Sequence, residues 1–303
     1  MEKVEQLAHR LGCTVVKKVE KGWSSDGKFL LCRGGQRFLL RLSEIGMEQK
    51  RRGEFERIAW LSEQGLPVPR AICCGSWEQG FYQLLEWIEG EDLREVLPGL
   101  TADEQYRLGF EASRILRKLH TLPLNPDQAK SASWQREKIL RRMQEYEDSG
   151  VRMQGDRQAV RFVREKIKLV GARPSVWCHG DYHAGNLIYT PKGEVAVIDF
   201  NRMCAVDPYE EFYKVQLFDR EDSIPFAVGR LDGFFEGKVP DSFWPVQKLY
   251  SLYASLYSIL WAIPFGEQEV AGMRRRYEDA LNSYADLSSP IPQWYAAYKW
   301  REK

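Results

Sequence analysis

The chain has 303 residues, 44% of them hydrophobic, which is enough for one large domain or two modest ones with a real core. Its formal net charge of +1 gives no overall attraction to nucleic acid or to an anionic membrane. No apolar run approaches the ~20 residues of a membrane-spanning helix, and the N-terminus lacks a signal-peptide pattern. The six cysteines form no C-x-x-C pair and no secreted framework. We therefore expect a cytoplasmic protein with reduced thiols that binds neither nucleic acid nor membrane.

The N-terminal third predicts one short helix and a set of strands. Residues 2–12 have an amphipathic helical pattern, and residues 22–28 form a turn-rich loop with two glycines. Gly34 and Gly35 separate two apolar runs, which is a hairpin signal. Strands are expected at residues 15–20, 29–32, 38–42, 68–72 and 81–88. A strong helix is expected over residues 47–64, where Gly65 and two prolines end it.

The remainder of the chain is mainly helical by pattern. Residues 101–121 and 131–170 predict helices, and the mixed charge over 134–168 indicates a solvated face rather than a nucleic-acid surface. A hairpin is expected at residues 187–198. From residue 210 onward the pattern is helical and aromatic, which is typical of a core.

Residues 179–198 and the carboxylate that follows them carry the chemistry. Asp181 is followed five residues later by Asn186, and Asp199 comes directly after an apolar strand. Phosphoryl transfer requires a correctly aimed hydroxyl and metal ions that neutralise phosphate charge. An Asp can orient the hydroxyl, and an Asn oxygen with a second Asp suits Mg²⁺. The two histidines of this stretch lack a third zinc ligand nearby, so we expect them to brace the loop.

The sequence His-Gly-Asp-Tyr-His-Ala-Gly-Asn at 179–186 resembles the signature of the aminoglycoside phosphotransferase family, relatives of the protein kinases that include choline and macrolide kinases. Asp199-Phe200 and Asp207-Pro208 continue the resemblance, although Val206 stands where the family has Gly. The resemblance implies an α+β, bilobed protein-kinase-like fold. It implies a small antiparallel-sheet N-lobe at residues 1–88, ending at the hinge, and a larger, mainly helical C-lobe at 89–303.

The resemblance also implies a nucleotide site in the N-lobe. Ser24, with Ser25 beside it, matches the loop position that contacts the phosphates, together with backbone N–H groups. Arg41 stands at the position where many family members carry the phosphate-binding Lys. Glu54 matches the helix residue that braces that cation. The alternatives on the same helix are Glu48 and Glu56.

At the hinge, the resemblance implies that backbone groups of Glu86 and Ile88 pair with the base of ATP or GTP. In the C-lobe it implies that Asp181 orients the acceptor hydroxyl and that Asn186 and Asp199 hold Mg²⁺. The predicted reaction is transfer of the γ-phosphate to an alcohol group of a small molecule by a monomer or weak dimer.

The leading prediction for the acceptor is a cationic aminoglycoside, which would make the protein an antibiotic-resistance enzyme. Clustered carboxylates would attract ammonium groups, and Tyr209, Trp261 and Phe265 could stack on sugar rings. The acids in question are Asp207, Glu210, Glu211, Asp219, Glu221, Asp222, Glu267 and Glu269. The plain alternative is that these acids are surface charges or helix starts.

Other functions stay open at this point. A kinase of the same mechanism could act on choline, an amino alcohol or a sugar. A catalytically silent kinase-like binding protein is a second possibility, although the intact set of Asp181, Asn186 and Asp199 argues against it. A protein kinase is disfavoured because there is no Ala-Pro-Glu segment after Asp199.

Overall fold

The structure is a computed structural model that describes residues 2–20, 26–78 and 80–301. The chain divides into two compact units. The first unit comprises residues 1–91 and 188–201, and the second comprises residues 92–187 and 202–303. The sequence analysis had placed one boundary after residue 88 and had not grouped residues 188–201 with the N-terminal part.

Ten strands and eleven α-helices make up the described chain. The strands are β1 (Thr14–Lys18), β2 (Gly27–Arg33), β3 (Gln36–Ser43), β4 (Ala71–Trp77), β5 (Gly80–Glu86), β6 (Glu91–Asp92), β7 (Val176–Cys178), β8 (Leu187–Tyr189), β9 (Val195–Val197) and β10 (Cys204–Val206). The helices are α1 (Glu2–Arg10), α2 (Glu48–Glu63), α3 (Leu93–Val96), α4 (Ala102–His120), α5 (Ala132–Asp148), α6 (Asp156–Lys166), α7 (Arg220–Asp222), α8 (Ile224–Phe235), α9 (Trp244–Ala262), α10 (Glu267–Ser283) and α11 (Gln293–Arg301).

An antiparallel five-stranded sheet in the order β1-β2-β3-β5-β4 forms the framework of the first unit. Gly34 and Gly35 both have positive φ, as a tight two-residue hairpin turn between β2 and β3 requires. Leu31, Leu40 and Leu84 lie on one face and are almost completely buried with α1. The alternation along β3 points Arg41 away from this apolar layer.

Two sequence predictions need correction. The strand expected at residues 68–72 is β4, which begins at Ala71 and runs to Trp77, so that Cys73 and Cys74 belong to a strand. The helix expected over 131–170 is interrupted between α5 and α6. Gly150 and Gly155 adopt positive φ there, a conformation that other residues rarely take and that no helix continues through.

The second unit is built around long helices. Helix α4 begins with a capping box between Thr101 and Glu104 and packs closely on α8. A Cβ at Gly109 would lie 2.1 Å from the carbonyl oxygen of Phe226, so only glycine permits this approach. Helix α9 is buried on nearly all sides, as its largely apolar and aromatic sequence predicts. Among the described helices none has the length and hydropathy needed to cross a membrane.

Candidate active site

A buried network of two arginines and two carboxylates lies in the first unit. Arg41 on β3 donates from Nε to Asp26 at 2.6 Å and from Nη1 to Glu54 at 2.9 Å. Arg51 contacts the same two acids, with Nη1 2.7 Å from Glu54 and Nη2 2.6 Å from Asp26. Each carboxylate therefore has two guanidinium partners, which is the condition under which buried charges are tolerated.

The position of Glu54 follows from the helix on which it lies. Arg51 and Glu54 are three residues apart on α2 and share its buried face. The ion pair between Arg41 and Glu54 that the sequence predicted is present, and the alternatives Glu48 and Glu56 are not part of it. Glu48 instead pairs with Arg52 at the exposed start of α2.

Charge pairing sets the protonation state of this network. Burial alone would raise the pKa of Asp26, but the Arg41 and Arg51 guanidinium groups and a hydrogen bond with Ser43 lower it below its usual value. Burial would lower the pKa of Arg41, but Glu54 and Asp26 raise it. Both shifts favour the ionised forms, so Asp26 and Arg41 are charged at neutral pH.

One nitrogen of the Arg41 guanidinium points to none of these acceptors. Its Nε and Nη1 are engaged, and its Nη2 has no hydrogen-bond partner among the described residues. Lys28 lies opposite Arg41 across β2 and β3. Burial is the largest cause that lowers the pKa of Lys28, and the charge of Arg41 is the second. The charge of Asp199 raises the pKa of both Lys28 and Arg41. The first unit therefore brings Lys28, Arg41 and Asp199 into one electrostatic neighbourhood.

Asp199 has an unusual backbone conformation. Its φ of 67° lies in the left-handed region, which costs a non-glycine residue energy and is found disproportionately at functional sites. It lies two residues after the end of β9, whose Val197 N–H donates to the carbonyl oxygen of Pro67 at 2.8 Å. This anchor holds the strand end from which the Asp199 carboxylate projects.

The predicted base-binding segment is the end of β5. The N–H of Glu86 already donates to the carbonyl oxygen of Arg70 at 2.8 Å, and the N–H of Trp87 donates to that of Arg37 at 3.0 Å. The N–H of Ile88 has no acceptor among the described residues. A base could therefore pair with the N–H of Ile88 and the carbonyl of Glu86, but not with the N–H of Glu86. Ser24 and Ser25 lie outside the described residues.

Asp181 in the second unit lies among positively charged groups. Lys214 forms an ion pair with its Oδ1, and Arg202 Nη1 is 3.8 Å from its Oδ2. His183 Nε2 is 3.6 Å from Oδ1. Burial alone would raise the pKa of Asp181, but Lys214, followed by His183 and Arg202, holds that pKa well below its usual range. The carboxylate is therefore ionised at neutral pH.

The tautomer of His183 can be assigned from its contacts. Its Nδ1 is 3.2 Å from both the Gly185 N–H and Arg94 Nη2, and both of these groups donate. The ring is neutral because burial and the charge of Lys214 lower its pKa well below the usual value. The single ring hydrogen is therefore on Nε2, which faces Asp181. The ring also stacks on Phe218 at a centroid distance of 5.0 Å, so His183 braces the loop as predicted.

Buried carboxylates hold the backbone of this loop in place. Gly180, with φ of 80°, donates its N–H to Glu211, and the N–H of Ala184 donates to Asp219 at 2.9 Å. Asp219 is neutralised by the completely buried Arg230 at 2.8 Å. Burial raises the pKa of Glu211 to about 7. A π-helical turn, Val215–Asp219, carries this support, and such turns are frequent at functional sites.

Asn186 is oriented by the same loop. Its Nδ2 donates to the carbonyl oxygen of Asp181 at 2.9 Å, which leaves Oδ1 as the group available to a ligand. In residues 2–20, 26–78 and 80–301, no three His, Cys, Asp or Glu side chains are grouped as a metal site. An Asn oxygen and one carboxylate nevertheless fit Mg²⁺, which usually takes one or two carboxylates and completes its shell with water and phosphate oxygens.

The acidic residues expected to attract a cationic acceptor are mostly engaged already. Their partners are Arg173 for Asp207, Lys138 for Glu210, the Gly180 N–H for Glu211, Arg230 for Asp219, Arg276 for Glu221, and Arg94 for Asp222. Within the described part of the chain, Glu267 and Glu269 in the first turn of α10 have no such partner. Six of the eight acids are therefore paired within the protein. Asp207, Glu211 and Asp219 are buried, so the alternative of surface charges is wrong for these three. Glu267 and Glu269 stand at a helix start, as that alternative predicts.

Sequence analysis missed four residues that contact the predicted ones. Asp26 belongs to the glycine loop at residues 22–28, and Arg51 lies one helical turn before Glu54. Arg202 and Lys214 reach Asp181 from segments distant in sequence. The one available signal for Lys214 was its position as a lone cation within the apolar run Phe212–Phe218, where a charge must be buried.

The fold and the match to a family model together place the chain among the protein-kinase-like phosphotransferases. The chain matches the APH family, described as the phosphotransferase enzyme family, over residues 15–244, and it belongs to that family. No curated protein matched the sequence.

Solved structures of aminoglycoside phosphotransferases have the same fold. Examples are ADP-bound APH(2″)-Ib (16% identity, 92% of this chain and 98% of that one, TM-score 0.66), a thermostable mutant of APH(4)-Ia with ADP and hygromycin B (17%, 92% and 98%, 0.70) and APH(2″)-IIa with gentamicin (17%, 94% and 97%, 0.65). At this identity the likeness establishes the protein-kinase-like α+β fold, with an antiparallel sheet in the N-terminal part and a mainly helical C-terminal part, as the sequence predicted.

Proposed function

We propose that this phosphotransferase moves the γ-phosphate of ATP or GTP to a hydroxyl group of a small molecule. The observation that carries the proposal is Asp181, a carboxylate held ionised by Lys214 in a loop whose backbone is fixed by buried acids. Such a carboxylate can accept a hydrogen bond from an alcohol and aim the oxygen at phosphorus. Solved relatives that bind ADP support a nucleotide as the phosphate donor.

We assign the nucleotide to residues of the first unit. The free Nη2 of Arg41 is the phosphate ligand, and the network of Asp26, Glu54 and Arg51 fixes its direction. Ser24 and Ser25 contact the phosphates from the preceding loop. The backbone carbonyl of Glu86 and N–H of Ile88 take the base, so the side chains at these positions say little about the nucleotide.

Asp181 acts on the acceptor. Its carboxylate accepts a hydrogen bond from the acceptor hydroxyl, whose oxygen forms a bond to the γ-phosphorus as the bond from that phosphorus to the β,γ-bridging oxygen breaks. The proton passes to Asp181, and the electron pair leaves on the nucleoside diphosphate. Asn186 Oδ1 and the Asp199 carboxylate are the residues that would hold Mg²⁺, which supplies charge neutralisation to the phosphates when bound.

The leading acceptor is an aminoglycoside, and the proposed setting is the cytoplasm of a resistant cell. The support is that APH(2″)-IIa binds gentamicin and APH(4)-Ia binds hygromycin B. On this chain, Glu267 and Glu269 remain open to ammonium groups, and the half-exposed Phe265 lies 4.8 Å from Trp261 as a stacking surface. Choline, an amino alcohol or a sugar is the alternative acceptor of the same reaction.

The experiment is an acceptor screen with nucleotide consumption as the readout. Aminoglycosides, amino alcohols and neutral sugars are incubated with ATP and with GTP, and a reaction without acceptor is the control. We expect aminoglycoside-dependent turnover that Asp181→Asn lowers roughly 100-fold, the scale of general acid–base catalysis, with nucleotide affinity unchanged. Acceptor KM should rise with salt, because exposed carboxylate–ammonium attraction is screened.

Three results would contradict parts of this proposal. Near-normal turnover by Asp181→Asn would remove Asp181 from the reaction. If neutral or anionic acceptors were phosphorylated and aminoglycosides were not, the proposed reaction would still stand, but the proposed cationic acceptor would be refuted. No turnover of any alcohol by a protein that binds nucleotide would favour a silent binding protein.

A further inference from the structure

Lys214 is a buried ammonium group whose position calls for a physical reason. It is 5% exposed and precedes the π-helical turn Val215–Asp219. Its Nζ lies over the ring of Phe218 at 4.6 Å and over that of Tyr213 at 5.0 Å. Among the described residues, its only carboxylate partner within ion-pair distance is Asp181. The one carboxylate that this buried cation contacts is therefore the proposed catalytic residue.

The contact between Lys214 and Asp181 changes when the carboxylate reacts. Lys214 and His183 both face the same oxygen, Oδ1, while Arg202 is near Oδ2. The carboxylate can therefore accept a hydrogen bond from an alcohol while Lys214 stays beside Oδ1. Once Asp181 takes the hydroxyl proton it is neutral, and the ammonium then pairs with another anion. The transferred phosphoryl group is the anion that the reaction brings there.

Distance supports this exchange. The acceptor hydroxyl and Lys214 Nζ would each lie at hydrogen-bond distance from the same carboxylate, so they would be within about 5 Å of each other. Phosphorus becomes bonded to that hydroxyl oxygen during transfer. An unbranched Lys side chain can cover the remaining distance without movement of the backbone, and the flanking rings of Phe218 and Tyr213 keep its ammonium shielded from solvent.

We propose that Lys214 is a second catalytic residue, whose ammonium orients Asp181 in the resting enzyme and contacts the γ-phosphoryl group during its transfer. This inference rests on the proposed phosphotransferase function. Lys214 remains protonated throughout: it gives up its contact with Asp181 as that carboxylate takes the hydroxyl proton, and it neutralises negative charge on the phosphoryl oxygens. Its ammonium is thus a hydrogen-bond donor aimed at the oxygens on which negative charge develops in the transition state.

The first test uses binding alone, so it is independent of turnover and of the acceptor. The Asp181→Asn variant removes the charge that Lys214 balances, and Lys214→Met is then added to it. Calorimetry measures the affinity of both proteins for AMP-PNP and for ADP. We expect the double variant to bind AMP-PNP roughly 10-fold more weakly, the scale of one charge-assisted hydrogen bond, with ADP affinity unchanged.

The matched control is Lys138→Met in the same Asp181→Asn background. Lys138 is also largely buried and pairs with a single carboxylate, Glu210, away from Asp181. Its removal should not change the ratio of the AMP-PNP and ADP affinities. Equal ratios for all three proteins would overturn the proposal, because Lys214 would then balance the charge of Asp181 and do no more.

The second test is kinetic and uses an acceptor identified by the screen. Lys214→Met should lower kcat about 100-fold with little change in acceptor KM, and Lys214→Arg should restore part of kcat. An unchanged kcat for Lys214→Met would also overturn the proposal. If the unmodified protein phosphorylates no acceptor, the proposed function fails, while the AMP-PNP to ADP ratio still decides whether Lys214 contacts the γ-phosphate.

Discussion

Replacement of Arg41 by Lys is the most informative change in the first unit, because Lys is the residue that many family members carry at this position. Arg41 directs Nε to Asp26 and Nη1 to Glu54, and it keeps Nη2 open. An ammonium is a single point charge and cannot occupy all three directions. A lysine side chain here would therefore reach one of the two carboxylates or the phosphates, but not all of them.

The expected losses of stability and of nucleotide affinity follow from the contacts that remain in Arg41→Lys. Arg51 still pairs with both acids, so neither carboxylate is left without a cation. The substitution then removes one charge-assisted hydrogen bond within the protein, about 1.5–3 kcal/mol of unfolding free energy. At about 1.4 kcal/mol per factor of ten, loss of the pre-oriented phosphate donor weakens nucleotide binding by roughly 10-fold or more.

The assay combines thermal unfolding with calorimetric titration of ADP. We expect a Tm lowered by several degrees and an increased Kd for Arg41→Lys. The matched control is Arg52→Lys, which makes the same change at an exposed ion pair with Glu48 on the adjacent helix. Its effect on Tm should be negligible, because an exposed ion pair contributes little to stability. If Arg41→Lys had the Tm and Kd of the unchanged protein, the three-way use of the guanidinium would be refuted.

Two further predictions concern the metal ligands and a buried acid. Asp199→Ala should abolish turnover at any Mg²⁺ concentration, whereas excess Mg²⁺ should partly rescue Asn186→Ala; a Mg²⁺ titration of the rate in which Asp199→Ala is active at ordinary concentrations would contradict the assignment. Because burial raises the pKa of Glu211 to about 7 from an ordinary value of 4.5, its contribution to stability is full below about pH 4.5 and is lost as pH rises through 7. Glu211→Gln should therefore be more stable than the unchanged protein at pH 8.5 and should lose this advantage at pH 5. The difference in unfolding free energy should be at most about 3 kcal/mol, at 1.4 kcal/mol per pKa unit. Equal pH profiles of denaturant unfolding for the two proteins would contradict this prediction.

The first unit was largely predictable because its signals are local. Gly34 and Gly35 indicate the turn that fixes the register of β2 and β3. The resemblance to the family picked Glu54, seven residues before Leu61, out of three candidate glutamates. The ion pair with Arg41 then follows from the pairing of strand and helix in a kinase-like sheet.

The charges of the second unit were not predictable in the same way. Asp222 and its partner Arg94 are 128 residues apart, and no spacing rule connects them. A run of acids in sequence therefore looked like an open cationic site, although most of its members were matched by arginines and lysines from other helices. Lys214 shows the reverse case, because its burial was suggested by the apolar run around it while its partner, Asp181, was not.

In the proposed reaction a phosphoryl group passes from nucleotide to an alcohol oriented by Asp181. This can be tested by following the label from γ-phosphate-labelled ATP into the acceptor found by the screen. We expect a labelled phosphate ester with the unchanged protein and almost none with Asp181→Asn, at equal nucleotide affinity. Label released only as inorganic phosphate, or an ester formed equally by both proteins, would contradict it.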